Sequence, residues 1–167
     1  AGTRVGVCCR RGEGKIRESG VGNSAAGQRQ EAENTLNIGS NQVPYSMLRR
    51  EIESDVVPYC REHDKAILVY SPLQLGLLTG KMKPGQHFDA SDLRSTNKLF
   101  TPESVKRVNS LLNKIRPLAE TKNATLGQLV LRWTLAQPGI SVALVGARTA
   151  DQAVQNARAM DFSLTFE

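Results

Sequence analysis

Short, nearly continuous apolar runs alternate along this chain with longer stretches whose apolar side chains recur every three or four positions. The first pattern predicts strands buried on both faces, and the second predicts amphipathic helices. AILVYS at 66–71 and VALVG at 142–146 are the two clear strands. SNQVPY at 40–45 is a shorter one ending at a proline, and IRESGV at 16–21 is a weak one.

The helices carry better punctuation. From Met47 to His63, Leu48, Ile52, Val56, Val57 and Cys60 fall at helical spacing. Pro58 lacks the N–H that would bond Ser54 and is expected to kink or interrupt this helix. Over 101–122, Thr101 is the expected N-cap and Pro102 the first helical residue, ahead of a stripe of Val105, Val108, Leu111, Leu112 and Ile115. Over 125–137, Thr125 and Gln128 form a capping box, Leu126, Leu129, Val130 and Trp133 share a face, and Gln137-Pro138-Gly139 stops the helix. Thr149 and Gln152 form a second capping box opening a helix at about 150–159. Residues 80–100 are polar, with Gly, Pro, Asp and Ser, and read as a long loop of the kind that is functional or disordered.

Four strand–helix units imply parallel strands with helices packed outside them, an α/β arrangement. Four parallel strands form either a small open sheet or half of an eight-stranded barrel, and periodicity does not choose between these.

Composition narrows the function. Hydrophobic residues at 40% and charged residues at 23% describe a globular chain and exclude a disordered one. No apolar run approaches the roughly 20 residues of a membrane span. The first residues, AGTRVGVCCRRGEG, hold no apolar core of signal-peptide length, so a cytoplasmic location is expected. Cys8, Cys9 and Cys60 are odd in number without CxxC spacing, and His63 and His87 sit in no ligand pattern. Neither a disulfide framework nor a metal enzyme is expected. The net charge of +6 points to an anionic partner, either nucleic acid or a phosphorylated cofactor. The basic residues are scattered and aromatics are only 5%, so nucleic acid is the less favoured of the two and a solvated basic surface is the plain reading.

Three segments narrow the field further: NQVPYSMLRREIE at 41–53, YSPLQLGLLTGK at 70–81 and VGARTADQAVQN at 145–156. In letters and spacing they resemble the aldo-keto reductases, especially the branch that includes potassium-channel β-subunits and bacterial stress-related reductases. The likeness runs from about residue 37 to the end of the chain. It implies four β/α units of a TIM-type (β/α)8 barrel, a half-barrel corresponding to strands five through eight, with 37–167 as the C-terminal half and 1–36 as a degenerate segment carrying a weak first strand. It also implies an NADP(H) site at the carboxyl ends of the strands.

By that resemblance Gln42 bonds the nicotinamide carboxamide and the Tyr45 ring stacks on the nicotinamide, a flat wall that leaves one face open for hydride transfer. Tyr70, Ser71, Pro72, Leu73 and Gly76 would form the turn around the pyrophosphate, with Lys81 adding charge nearby and Arg94 folding over the cofactor. Gly146, Arg148 and the following helix N-terminus would hold the adenosine 2′-phosphate, and Gln152 and Asn156 would contact the adenosine. A forked guanidinium beside free helical N–H groups suits a phosphate. Gln155 stands where the family more often has glutamate.

The likeness breaks at the start. GKIRESGVGN at 14–23 matches a family strand that ends in a Ser-Asn pair holding the carboxamide. Here Gly22 takes the serine's place, Asn23 remains, and Ser24 replaces an aromatic. SAAGQRQEAENTL at 24–36 is more polar than the family helix, so poor order is expected there, and residues 1–13 match nothing. The family's catalytic Tyr, Lys, Asp and His lie on strands two through four, upstream of the region matched. Tyr45, Tyr59 and Tyr70 do not fit the proton-donor role. Carbonyl reduction is therefore expected to be weak or lost, leaving either an NADPH-dependent oxidoreductase or a non-catalytic nucleotide-binding module, with a basic nucleic-acid-binding domain as the remote alternative. Two open sheet edges lead to an expected homodimer or higher oligomer.

Overall fold

The computed structural model describes residues 9–23 and 38–165. Residues 1–8, 24–37 and 166–167, including the whole 24–36 segment for which poor order is expected, lie outside the described residues. The chain divides into two compact units: Ala1–Tyr70 with Gln137–Leu144, and Ser71–Ala136 with Val145–Glu167.

The first unit holds one sheet of four strands in the order β1 (Ser19–Gly22), β2 (Ile38–Pro44), β3 (Ala66–Tyr70) and β4 (Ile140–Leu144). All neighbours are parallel. All four strands expected from the sequence are present. The last begins two residues early, at Ile140, because Gly139 makes the turn into it with φ 86°. A Cβ there would stand 3.1 Å from both Val57 Cγ1 and Arg61 Cγ, so a side chain would crowd both neighbours as well as strain the left-handed backbone.

Alternation along each strand gives the sheet two unlike faces. Asn41, Val43, Ile67 and Val69 share one face and are all buried. Helix α1 (Val56–Glu62) packs against β3 and buries Val56, Val57 and Cys60. Each such aliphatic side chain contributes roughly 1.5–3 kcal/mol. Asn41 is the exception within that face: it is 1% exposed, and neither its Oδ1 nor its Nδ2 has a hydrogen-bond partner. The other face, with Ser40, Gln42, Leu68, Tyr70, Val142 and Leu144, is half-buried or exposed throughout.

The helix expected from Met47 starts much later. Ser46 and Arg49 exchange two backbone hydrogen bonds of 3.1 Å, a 3-10 turn covers Glu51–Glu53, and α1 opens only at Val56. The Asp55 carboxylate accepts from Val56 N at 2.6 Å. Pro58 therefore falls in the first turn, where its missing N–H would have had no helical acceptor, and the break precedes it.

In the second unit α2 (Pro102–Thr121), α3 (Leu126–Ala136) and α4 (Ala150–Ala157) pack in sequence, α3 touching both others. Thr101 caps α2 through Ser104 N at 3.3 Å. Its buried stripe is Val105, Val108, Leu112 and Ala119; Leu111, expected on it, is exposed. Both halves of the Thr125–Gln128 capping box are made, at 2.8 and 3.2 Å. The long loop is anchored rather than structureless. Asn109 Nδ2 donates to Met82 O at 2.9 Å, Phe88 meets Phe100 edge-on at 5.6 Å, and the Arg94 guanidinium lies 4.4 Å over the Phe88 ring. Gly80, at φ 74°, enters this loop where a Cβ would stand 2.7 Å from Leu126 Cδ1.

Candidate functional site

In the first unit the carboxyl ends of three adjacent strands bring together Asn23, Gln42 and Tyr70. Register pairs Gly22 with Gln42 and Pro44 with Tyr70. Asn23 follows β1 in the left-handed region, φ 54°, and its N–H donates to Gln42 O at 2.9 Å. The Tyr70 hydroxyl donates to Asn23 Oδ1 at 2.9 Å, which orients both groups. Gln42 and Asn23 are exposed and the Tyr70 ring is half-exposed. The arrangement is a neutral polar rim beside an aromatic surface, suited to an amide and a flat ring.

Tyr45 is placed differently. Its backbone joins the rim, donating to Tyr70 O at 3.2 Å, but the side chain is fully buried. Its hydroxyl donates to Glu53 Oε1 at 2.5 Å, and Arg50 grips the same carboxylate through Nε at 2.7 Å and Nη2 at 3.0 Å. Burial first, and the Glu53 carboxylate second, push the Tyr45 phenol well above its ordinary value. The bonds from Arg50 hold Glu53 below the usual carboxylate range. Sequence reasoning missed this triad, since the only signal is a Glu eight residues beyond a Tyr.

In the second unit the turn after β3 is unusual in its backbone. Ser71 (φ 56°), Gln74 (φ 47°), Leu75 (φ 52°) and Gly76 (φ 88°) all adopt left-handed conformations, three of them without being glycine. Such strain collects at binding turns. The N–H groups of Gln74 and Gly76 bond within the turn, to Ser71 O and Leu73 O at 3.0 Å. Among the described residues those of Leu73 and Leu75 bond to nothing. Pro72 is buried and Lys81 is exposed.

The turn into α4 is held by the residues the resemblance points to. Thr149 Oγ1 accepts from Gln152 N at 3.2 Å, while Gln152 Oε1 accepts from Arg148 N at 2.8 Å, one residue ahead of the usual capping-box partner. Asn156 Nδ2 donates to Gly146 O at 3.4 Å. Gln155 instead takes hydrogen bonds from Gln128 Nε2 on its carbonyl, at 2.8 Å, and on its side chain, at 3.2 Å. The Arg148 guanidinium is exposed and forms no ion pair among the described residues. Its charge also acts on Asp92, whose pKa falls to about 2, chiefly through the hydrogen bonds from Arg94. Arg94 is thus committed to Asp92, by Nε at 2.9 Å and Nη2 at 2.5 Å.

The remaining tyrosine, Tyr59, stacks on His63 with ring centroids 4.1 Å apart. Among the described residues no three His, Cys, Asp or Glu side chains gather as a metal site, and no helix is long and apolar enough to cross a membrane.

Parallel strands with helices between β2 and β3 and between β3 and β4, and with polar side chains at their carboxyl ends, define a β/α protein of the barrel-forming class. The aldo/keto reductase family model matches residues 10–167, and the chain belongs to that family. It is similar to the aldo-keto reductase YhdN of Bacillus subtilis, with 36% identity over 140 residues covering 83% of this chain and 42% of that protein. Among solved structures it is similar to a glycerol dehydrogenase of Gluconobacter oxydans, with 31% identity and TM-score 0.87 over 93% of this chain and 47% of that one. An aldo-keto reductase of Klebsiella pneumoniae in complex with NADPH matches at 28% identity and TM-score 0.67, over 93% and 46% respectively. The chain spans about half the length of the relatives it matches, which are full barrels.

Proposed function

We propose that this chain is the NADP(H)-holding part of an aldo-keto reductase, and that carbonyl reduction by the chain alone is weak or lost. The observation carrying the cofactor reading is the exposed Arg148 guanidinium at the N-terminus of α4, which forms no ion pair among the described residues and is set in a turn braced by Gln152 and Asn156. A phosphate there meets both a forked cation and free helical N–H groups. Lys81 and the free amides of Leu73 and Leu75 suit the pyrophosphate. Arg94, already paired with Asp92, adds less charge than its position in the sequence suggests.

For the nicotinamide end, Asn23 and Gln42 offer an amide-binding pair even without the hydroxyl that Gly22 lacks. Stacking falls to Tyr70 rather than Tyr45: the Tyr70 ring is half-exposed beside Asn23, whereas Tyr45 has no free face. When bound, NADPH supplies a hydride from its nicotinamide ring. The residues here bind and orient that ring, while the three tyrosines are each otherwise engaged, Tyr45 with Glu53, Tyr59 with His63 and Tyr70 with Asn23, and so are not placed as proton donors to a carbonyl oxygen.

Fluorescence titration with NADPH and NADH, followed by 340 nm absorbance with a panel of aldehydes, tests this. Saturable NADPH binding with little oxidation is expected. Sustained turnover would contradict the weak-catalysis reading, and absence of nucleotide binding would contradict the whole. Arg148→Ala is expected to weaken NADPH by about 1–3 kcal/mol, the worth of a charge-assisted contact, and to leave NADH nearly unchanged.

A further inference from the structure

We propose that Asp92 is a specificity-determining residue for a phosphate at Arg148: its carboxylate opposes the phosphate, and Arg94 serves that site by neutralising Asp92 rather than by touching the ligand. The inference rests on the cofactor reading and adds to it the residue that sets how strongly the extra phosphate is favoured. All three residues belong to the second unit.

Three observations carry it. First, Arg94 is fully committed. Its Nε and Nη2 donate to the two oxygens of Asp92, at 2.9 and 2.5 Å, and its backbone N–H donates to Oδ1 at 2.9 Å. The guanidinium lies 4.4 Å over the Phe88 ring, and Phe88 meets the buried Phe100 edge-on. Only 23% of the Arg94 side chain meets water. A fork aligned with one carboxylate and stacked on a ring is held in a single direction. Turning it toward a ligand breaks both charge-assisted bonds and the contact with the ring.

Second, Asp92 and Arg148 act on each other. Hydrogen bonds from Arg94 come first in holding the Asp92 carboxyl down, to about 2, and the Arg148 cation adds to them. A carboxylate that senses this cation also senses, with opposite sign, an anion seated on it. Asp92 is therefore ionised wherever a phosphate ester carries its second charge, above about pH 6. Left bare, it would repel that phosphate. Paired with Arg94, it is cancelled, and the charge of Arg148 remains.

Third, the other carboxylate of the long loop is placed differently. Asp89 accepts from Ser91 N at 2.9 Å and Ser91 Oγ at 2.7 Å, and the neighbouring charge that acts on it is Asp92. It serves as the control for loop charge in general.

The test titrates NADPH and NADH by fluorescence against the parent chain, Asp92→Asn, Arg94→Gln, the double substitution and Asp89→Asn. Asparagine keeps the shape of aspartate, and glutamine keeps part of the stem over Phe88. Asp92→Asn is expected to tighten NADPH about two- to fivefold and Arg94→Gln to weaken it by a similar factor, the size expected of one partly exposed charge. NADH should change little in either. The double substitution restores neutrality and is expected to return NADPH near the parent affinity, and Asp89→Asn to change it less than Asp92→Asn does. A double variant as weak as Arg94→Gln means that Arg94 touches the phosphate itself, and overturns the proposal. So does an Asp92→Asn variant no tighter than the parent, or an Asp89→Asn variant that gains as much. Equal changes for both nucleotides mean a disturbed loop rather than an altered charge, and also overturn it. A parent chain that binds neither nucleotide removes the cofactor reading and this inference with it, whereas NADPH binding that ignores Asp92 removes the inference alone. Asp92→Ser, equally neutral, takes the place of the asparagine variant should that one fold poorly.

Discussion

Neighbouring residues of one strand, Asn41 and Gln42, face opposite sides of the sheet and do different work. The side that holds Asn41, Val43, Ile67 and Val69 is closed and sets stability. The side that holds Gln42 and Tyr70 is open and carries the groups suited to a ligand or a partner. The difference teaches that in a parallel sheet the period of two separates structure from function residue by residue, so that a one-place shift in alignment exchanges the roles.

The largest effect should come from the closed face. Ile67→Ala is expected to cost about 2–5 kcal/mol in urea unfolding, while Val142→Ala, half in water, should cost less than about 1 kcal/mol. Comparable costs would erase the distinction between the faces. A cost at Val142 that grows with protein concentration would instead report association. Asn41→Leu sharpens the comparison from the other direction. It replaces an unpartnered buried amide by an apolar side chain of similar volume and is expected to raise stability by about 1–3 kcal/mol. A loss of stability on that substitution would mean the amide is satisfied in solution.

On the open side the expected changes are smaller and appear in binding. Tyr70→Phe removes the hydrogen bond to Asn23 and should weaken NADPH and NADH alike, by about 0.5–1.5 kcal/mol, with unfolding nearly unchanged. An effect on NADPH alone would move Tyr70 away from the nicotinamide. The smallest effect concerns pH. The Tyr45 phenol titrates higher in the folded chain than the roughly 10 of an unfolded one, so its contribution is fully present below about pH 10 and is lost as pH rises toward the folded value. Alkaline unfolding curves should show this slope in the parent chain and lack it in Tyr45→Phe.

How much of this was legible in the sequence depended on range. The caps at Thr101, Thr125 and Thr149 were legible because a cap is a contact between residues three apart. The strands were legible because each is a local apolar run. Family letters put Gln42, Tyr70 and Arg148 forward as candidate site residues. The burial of Tyr45 was not legible, because its hydroxyl partner Glu53 lies beyond a turn that replaced the expected helix. Nor were the left-handed residues Ser71, Gln74 and Leu75, since none is a glycine and the strain is imposed by the turn around them. The commitment of Arg94 to Asp92 was hidden for a further reason: a basic residue in a loop announces its charge but not the carboxylate that already holds it.

Diffraction from a crystal soaked in NADPH tests the central claim most directly. Density for the nicotinamide against the Tyr70 ring, its carboxamide at Asn23 and Gln42, and the 2′-phosphate at Arg148 is the expected result. A nucleotide bound elsewhere, or one that leaves Tyr70 and Arg148 untouched, would contradict it.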